Sequence, residues 1–172
     1  MRRNPLCLLV ALAAVTTHPL AASGEITAVD VGIRGVLSPN AATALRQALS
    51  ALEGVEKVEV STALGRATIT PAPGWKLSVG KLGQAVREAG MSPMWIRFEA
   101  LGQLTLRHGR PGLQVQGTDQ LIPLATDGKF DELARAARWD CDLILIIGTI
   151  PADQDEARVE RFQLTGLSGT QC

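Results

Sequence analysis

The chain of 172 residues is 46% hydrophobic and 20% charged, with equal numbers of basic and acidic side chains. This is an ordinary composition for one large or two small globular domains. Aromatic residues make up only 3% of the chain and tyrosine is missing, so a stacking surface for bases or sugars is not expected. The balanced charge leaves no basic stripe, which argues against nucleic acid or an anionic membrane surface as a partner.

The first residues have the pattern of an export signal. Two arginines precede an apolar run over residues 6–15, and small residues follow it. We therefore predict a signal peptide over residues 1–23 with cleavage before Gly24; cleavage after Ala22 and an uncleaved N-terminal anchor are the alternatives. No later apolar run reaches the roughly 18 residues of a membrane span, so we expect a soluble exported protein, either periplasmic or secreted.

The segment 24–99 alternates strand and helix patterns. Ser38 before Pro39 predicts a helix start, because serine is a favoured N-cap and proline suits the first helical position. The order strand, helix, strand, strand, helix, strand predicts a ferredoxin-like domain with both helices on one face of an antiparallel sheet. The predicted elements are strands over 25–33, from 55, over 67–70 and over 91–98, and helices over 38–52 and 79–89.

The segment 100–172 predicts a small β-rich domain, and Glu99–Gly102 is the candidate junction. Short strands with one helix between the third and the fourth resemble an OB-like barrel, although a small α+β sandwich fits almost as well. The run over 142–150 is the most apolar of the mature chain and predicts a central buried strand with a bulge at Gly148. The fold class expected for the whole chain is therefore α+β.

The loop and first helix carry a fixed spacing of a glycine, two leucines and a Gly-Val pair, and a second helix ends at Gly90. This spacing resembles the heavy-metal-associated domain family, the fold of copper chaperones, metal-ATPase N-terminal domains and mercury-binding periplasmic proteins. The motif of that family runs Gly-Met-Thr-Cys-x-x-Cys into the first helix and ends with Leu-x-Gly-Val. The residues in register are Gly35, Leu49, Leu52, Gly54 and Val55.

The resemblance fails at the residues that would bind the metal. Val36 stands at the methionine position, and Ser38 and Ala41 stand at the two thiolate positions. A hydroxyl and a methyl group supply no soft ligand, so we expect neither a metal nor another cofactor in this loop. Ser38 is expected to cap the helix; the alternative is that Gly35, Val36, Leu37 and Ser38 form a loop that contacts a partner.

Two cysteines remain after removal of the signal peptide, which carries Cys7. In an oxidising compartment Cys141 and Cys172 are expected to form a disulfide, and two unpaired thiols are the next alternative. A composite copper or mercury site made of Cys141, Cys172 and His108 is a further hypothesis.

No nucleophile elbow, phosphate-binding loop or His-Glu-x-x-His motif is present, so we do not expect an enzyme. The function expected is that of an exported, non-catalytic binding or adaptor protein with a protein partner, accessory to metal handling in the envelope as the family resemblance implies. A metal-binding or transport protein and a small-ligand or oligosaccharide module in the second domain are the alternatives.

Overall fold

A computed structural model describes residues 26–35 and 38–167 of the chain, so the predicted signal peptide, Val36, Leu37 and Cys172 lie outside the described residues. Within them the protein is α+β, with eight strands in one mostly antiparallel sheet and three helices. The strands are β1 (Ile26–Arg34), β2 (Val55–Ser61), β3 (Arg66–Pro71), β4 (Ser92–Arg107), β5 (Arg110–Val115), β6 (Leu121–Pro123), β7 (Asp142–Pro151) and β8 (Arg158–Leu167). The helices are α1 (Pro39–Ser50), α2 (Val79–Glu88) and α3 (Gly128–Ala136).

The first part of the sheet has the strand order β2-β3-β1-β4, in which every neighbouring pair is antiparallel. The side chains of Ser38, Ser78 and Asp127 each accept a hydrogen bond from a backbone N–H in the first turn of α1, α2 and α3, respectively. These caps explain why the three helices begin where they do. The strand order and the helix starts agree with those expected of the split βαβ arrangement.

The stretch around residue 100 differs from the prediction. The sequence pattern predicted two strands separated by a junction at Glu99–Gly102, whereas β4 runs through this stretch as a single strand of 16 residues. Alternate residues along β4 are buried from Ile96 to Leu104, so the strand contributes to the core along this whole stretch. A period of two continues across residues 99–102, and Gly102 is a strand residue rather than a linker. The predicted domain boundary therefore falls inside a strand.

The later strands form a ring that begins and ends at β4. At Gly102 the strand has Val115 of β5 on one edge and Ile144 of β7 on the other. From β5 the chain pairs into β6, and a parallel bridge from Leu124 to Ala157 joins the end of β6 to the start of β8. Since β8 pairs with β7, the five strands close in the order β4-β5-β6-β8-β7. The helix α3 lies between β6 and β7 in the chain.

The strand β7 lies between β4 and β8, as expected of a central strand, but only one of its faces is buried. Buried and partly buried residues alternate over its whole length, so the apolar run does not mean that both faces of this central strand lie in the core. Its apolar run reflects two different environments, because Ile144 and Ile146 face the core whereas Leu145 and Ile147 face outward. The pairing register shifts at Gly148, which confirms the predicted bulge.

The two parts of the chain share one hydrophobic core and are joined by a polar contact. The side-chain amide of Gln120 donates to the carbonyl oxygen of Leu77 at 2.6 Å, and its oxygen accepts from the Leu77 N–H at 2.8 Å. Beside it, Lys76 forms an ion pair with Asp119, and the hydrogen bond from Lys76 lowers the pKa of the Asp119 carboxyl group. These contacts fix the loop before α2 against the loop between β5 and β6.

No helix in residues 26–35 and 38–167 is both long enough and apolar enough to cross a lipid bilayer.

Candidate functional site

The loop between β1 and α1 is the position of the metal site in the family that the sequence resembles. Gly35 has a φ of +103°, a conformation that side chains disfavour, and Val36 and Leu37 lie outside the described residues. The Ser38 hydroxyl accepts a hydrogen bond from the Ala41 N–H at 3.2 Å. Ser38 therefore acts as a helix cap. Its hydroxyl group and the methyl group of Ala41 give the loop no soft metal ligand.

Cys141 is disulfide-bonded, and the two other cysteines of the chain, Cys7 and Cys172, lie outside the described residues. The pairing of Cys141 with Cys172 therefore stays a prediction. A disulfide sulfur is not a thiolate, so the metal site proposed for Cys141 would require reduction of this bond.

The turn that carries Cys141 is held by a buried carboxylate. The Asp142 side chain is 10% exposed; it accepts from the Arg138 backbone N–H at 2.7 Å and from the Arg138 guanidinium at 2.8 and 3.1 Å. The backbone hydrogen bond, followed by that of the guanidinium, lowers the pKa of the Asp142 carboxyl group. Asp142 thus has a structural role, since it fixes the start of β7.

His108 does not lie beside Cys141. It occupies the turn between β4 and β5 with a φ of +52°, whereas Asp140, next to Cys141, donates its N–H to the carbonyl of Leu104 at 2.9 Å. His108 lies four positions beyond Leu104 along extended backbone, a distance of about 13 Å. It is therefore too far from Cys141 to share a metal ion with it. Among the described residues no three side chains of His, Cys, Asp or Glu come together in a group that could hold a metal ion.

His108 instead lies in a cleft of the second half of the chain, which has a volume of about 960 Å³. The turn after β4 forms one wall, and the loop between β7 and β8 forms the opposite wall. Residues of β5 and β6 lie between the two walls. The lining residues are Arg107, His108, Arg110, Pro111, Leu121, Pro123, Gln154, Asp155 and Glu156.

The two walls of this cleft carry opposite charges. Arg107 and Arg110 flank His108 on the first wall, and Asp155 and Glu156 lie on the second. All five side chains are exposed, and none forms an ion pair with another residue that the structure describes. The Arg107 charge contributes to the lowered pKa of the Asp119 carboxyl group, whereas the other charged groups of the two walls, Arg110, Asp155 and Glu156, can bind a ligand that carries both a positive and a negative group.

A second cavity of about 470 Å³ lies at the start of α2. One side is formed by Trp75, whose indole N–H donates to the carbonyl of Glu53 at 3.0 Å. Gly54 has a φ of +76°, and a Cβ built on it would lie 2.6 Å from the Trp75 ring. The glycine that matches the family motif is thus required here by the turn and by the close approach of a tryptophan.

The cleft was not predicted from the sequence, in which His108 was considered only as a ligand of the composite metal site. One signal in the sequence could have revealed the site. A basic turn, between β4 and β5, and an acidic turn, between β7 and β8, belong to strands that were predicted to form one small barrel.

No protein-family model matches this chain, and no curated protein sequence matches it. Two solved structures are similar to part of it. Oxidized MerP from Ralstonia metallidurans CH34 is 29% identical, with 40% of this chain and 93% of that chain covered and a TM-score of 0.36. A protein solved in work on crosstalk between Cu(I) and Zn(II) homeostasis is 21% identical, with 39% and 94% covered and a TM-score of 0.36. At these scores the similarity carries no argument about function.

Proposed function

We propose that this protein is an exported, non-catalytic binding protein whose cleft holds an extended segment of a protein partner. The observation that carries the proposal is the placement of unpaired basic and acidic side chains on facing walls of one open cleft. A polypeptide can offer acidic and basic side chains a few residues apart, and its backbone can lie along the partly buried residues between the walls.

The order of the strands supports this use of the cleft. We infer that the ring β4-β5-β6-β8-β7 is an OB-like barrel. Its helix, α3, follows the third of these strands in the chain, β6, and precedes the fourth, β7. In such barrels the second and third strands and the loops after the first and fourth strands form the usual binding surface. Here these elements are β5, β6, the turn after β4 and the loop after β7, which are the elements that line the cleft.

The composition of the cleft favours a peptide over a nucleic acid or an oligosaccharide. None of the residues that line it is Phe, Tyr or Trp, so it lacks the large aromatic rings on which the bases of a single strand usually stack. Its acidic wall would repel a phosphate backbone. An accessory role in the handling of metals in the envelope is the setting that the family resemblance implies for such a protein, with the metal bound by the partner.

The proposal can be tested by affinity capture from the envelope fraction of the source organism with the mature chain as bait. Arg110→Glu reverses one wall and Glu156→Arg reverses the other, and we expect each change to reduce capture of a specific partner about tenfold. Gln47→Glu, on the exposed side of α1, is the matched control and should capture the partner normally. Capture that is unchanged in both cleft variants, or a parent chain that captures no specific partner, would contradict the proposal.

A small zwitterionic ligand is the second candidate, because the volume of the cleft lies within the range of about 300–1,000 Å³ that is usual for small-molecule sites. Lysine and glutamate, tested singly and as the dipeptide by calorimetric titration, are suitable probes. Binding of the free dipeptide that is lost in Arg110→Glu would favour this candidate over a protein partner.

A further inference from the structure

The second cavity, beside Trp75, is separate from the cleft. It lies between the turn after α1, the loop before α2 and the first turn of α2, and none of its lining residues lines the cleft. Its volume of about 470 Å³ falls within the range of about 300–1,000 Å³ that is usual for small-molecule sites. We call it the Trp75 pocket. Leu52, Pro73 and Leu82 give it apolar walls.

The ring of Trp75 is fixed in position, and its polar group is already used. The indole N–H donates to the carbonyl oxygen of Glu53 at 3.0 Å, and the ring lies against Gly54, where a Cβ atom would come within 2.6 Å of it. Trp75 is half-buried and lines the cavity. It therefore offers a ligand the apolar surface of an oriented ring, and such a surface packs well against another aromatic ring.

The loop that carries Trp75 is also held on the side of the second half of the chain. Gln120 forms two hydrogen bonds with the backbone of Leu77, and Lys76 forms an ion pair with Asp119. The walls of the Trp75 pocket are thus in place before a ligand arrives, as is usual for small-molecule sites. The charge of Lys76, which lines the pocket, is balanced by this ion pair.

Two other charged side chains of the Trp75 pocket lack such a partner. Glu53 follows α1 and Lys81 lies in the first turn of α2. Both are exposed, and neither forms an ion pair with another residue that the structure describes. The pocket therefore presents one negative group, one positive group and one aromatic ring. A ligand with only a carboxylate or only an amine would leave one of the two charges without a partner.

We propose that the Trp75 pocket binds a free aromatic amino acid. The carboxylate of the ligand pairs with Lys81, its ammonium group pairs with Glu53, and its ring packs on Trp75. An aromatic amino acid supplies all three groups in one small molecule. At the binding efficiency of drug-sized ligands, a ligand of about 15 non-hydrogen atoms has a dissociation constant on the order of 1 mM.

The test is an NMR titration of the isotope-labelled mature chain with unlabelled L-tryptophan up to about 10 mM. The chain contains three tryptophans, so three indole N–H signals report on three places in the fold. The signal of Trp75, identified by its loss in Trp75→Phe, should shift in a saturable way. The signals of Trp95 and Trp139 should not move.

Two analogues of the ligand and two variants of the chain test the pairing of the charges. N-acetyltryptophan lacks the ammonium group and tryptamine lacks the carboxylate, and each should bind about tenfold more weakly than tryptophan. Glu53→Gln and Lys81→Gln should each weaken tryptophan binding by a similar factor. Glu53→Gln should not weaken N-acetyltryptophan further, and Lys81→Gln should not weaken tryptamine further, because in each case the partner group is already missing. Lys129→Gln, in the first turn of α3, is the matched control and should bind tryptophan as the parent does.

A parent chain whose Trp75 signal shows no saturable shift would overturn the proposal. So would analogues that bind as tightly as tryptophan, or binding that is unchanged in both Glu53→Gln and Lys81→Gln. Because both side chains are exposed, these variants should fold, which circular dichroism checks. The result is independent of the cleft, since Arg110→Glu should bind tryptophan normally and Lys81→Gln should capture the protein partner normally.

Discussion

Replacement of Cys141 by serine should remove one of the largest single contributions to the stability of this protein. Cys141 is disulfide-bonded, and the next residue, Asp142, pairs with Leu167 at the end of β8. Cys172 lies five residues beyond Leu167, a length of chain that reaches at most about 17 Å. The pairing of these strands therefore brings the two predicted partners within reach of one another.

The size of the effect follows from the loop that the bond would close. A disulfide between Cys141 and Cys172 encloses about 31 residues, and the loop-entropy relation gives about 3.7 kcal/mol of stabilisation at 25 °C. We expect Cys141→Ser, Cys172→Ser and the double variant to lose nearly the same free energy of unfolding, because each removes the same bond. Addition of a reductant to the parent chain should produce the same loss.

The assay is equilibrium unfolding in urea, combined with mass spectrometry of the non-reduced digest. Cys7→Ser is the matched control and should leave stability unchanged, because the signal peptide is expected to be removed. The reasoning fails if Cys172→Ser is as stable as the parent, or if Cys141 in the native mature chain reacts with a maleimide. Either result would mean that the bond is not the one predicted.

Three further predictions concern the fold. Leu45→Ala on the fully buried face of α1 should cost about 2–5 kcal/mol in urea unfolding, and a cost under 1 kcal/mol would contradict the packing described. Gln120→Ala leaves the N–H and carbonyl groups of Leu77 without their partner and should lower the free energy of unfolding by about 1–3 kcal/mol. Gln120→Glu keeps only the acceptor, so its stability should lie between that of the parent and that of Gln120→Ala. Asp142→Asn should be less stable than the parent at neutral pH. Arg138 lowers the pKa of the Asp142 carboxyl group in the folded protein. The difference in stability between the parent and the variant is therefore fully present above the pKa that this group has in the unfolded chain, and it should disappear as the pH falls through the pKa of the folded state. A difference in melting temperature between Asp142→Asn and the parent that does not shrink as the pH falls below the unfolded pKa would refute this.

Local patterns predicted the secondary structure well because each signal acts within a few residues. Ser38 was predicted to cap a helix, and the structure confirms this prediction; Ser78 and Asp127 cap α2 and α3 in the same way. The same patterns failed at Glu99–Gly102, because a strand that passes from one part of a sheet to another looks locally like two strands with a glycine between them.

The chemistry of the loop could also be judged from the sequence. Two ligand positions are occupied by Ser38 and Ala41, and no arrangement of the surrounding chain gives an alanine methyl group a lone pair. The cleft could not be predicted in the same way. His108 and Glu156 are 48 positions apart in the sequence, and only the closure of the ring by the bridge from Leu124 to Ala157 places their turns on facing walls.

The sequence alone therefore determined the helices, most of the strands and the absence of thiolate ligands from the family loop, since these depend on residue type and short spacing. The tertiary structure decided that β4 is continuous, that one face of β7 is only partly buried and that His108 lies far from Cys141. Each of these depends on strand pairing between distant segments, whose partners are chosen by the whole sheet. The spacing around Ser38 carries the family resemblance in the sequence itself, whereas the cleft is a surface that exists only once the sheet has formed.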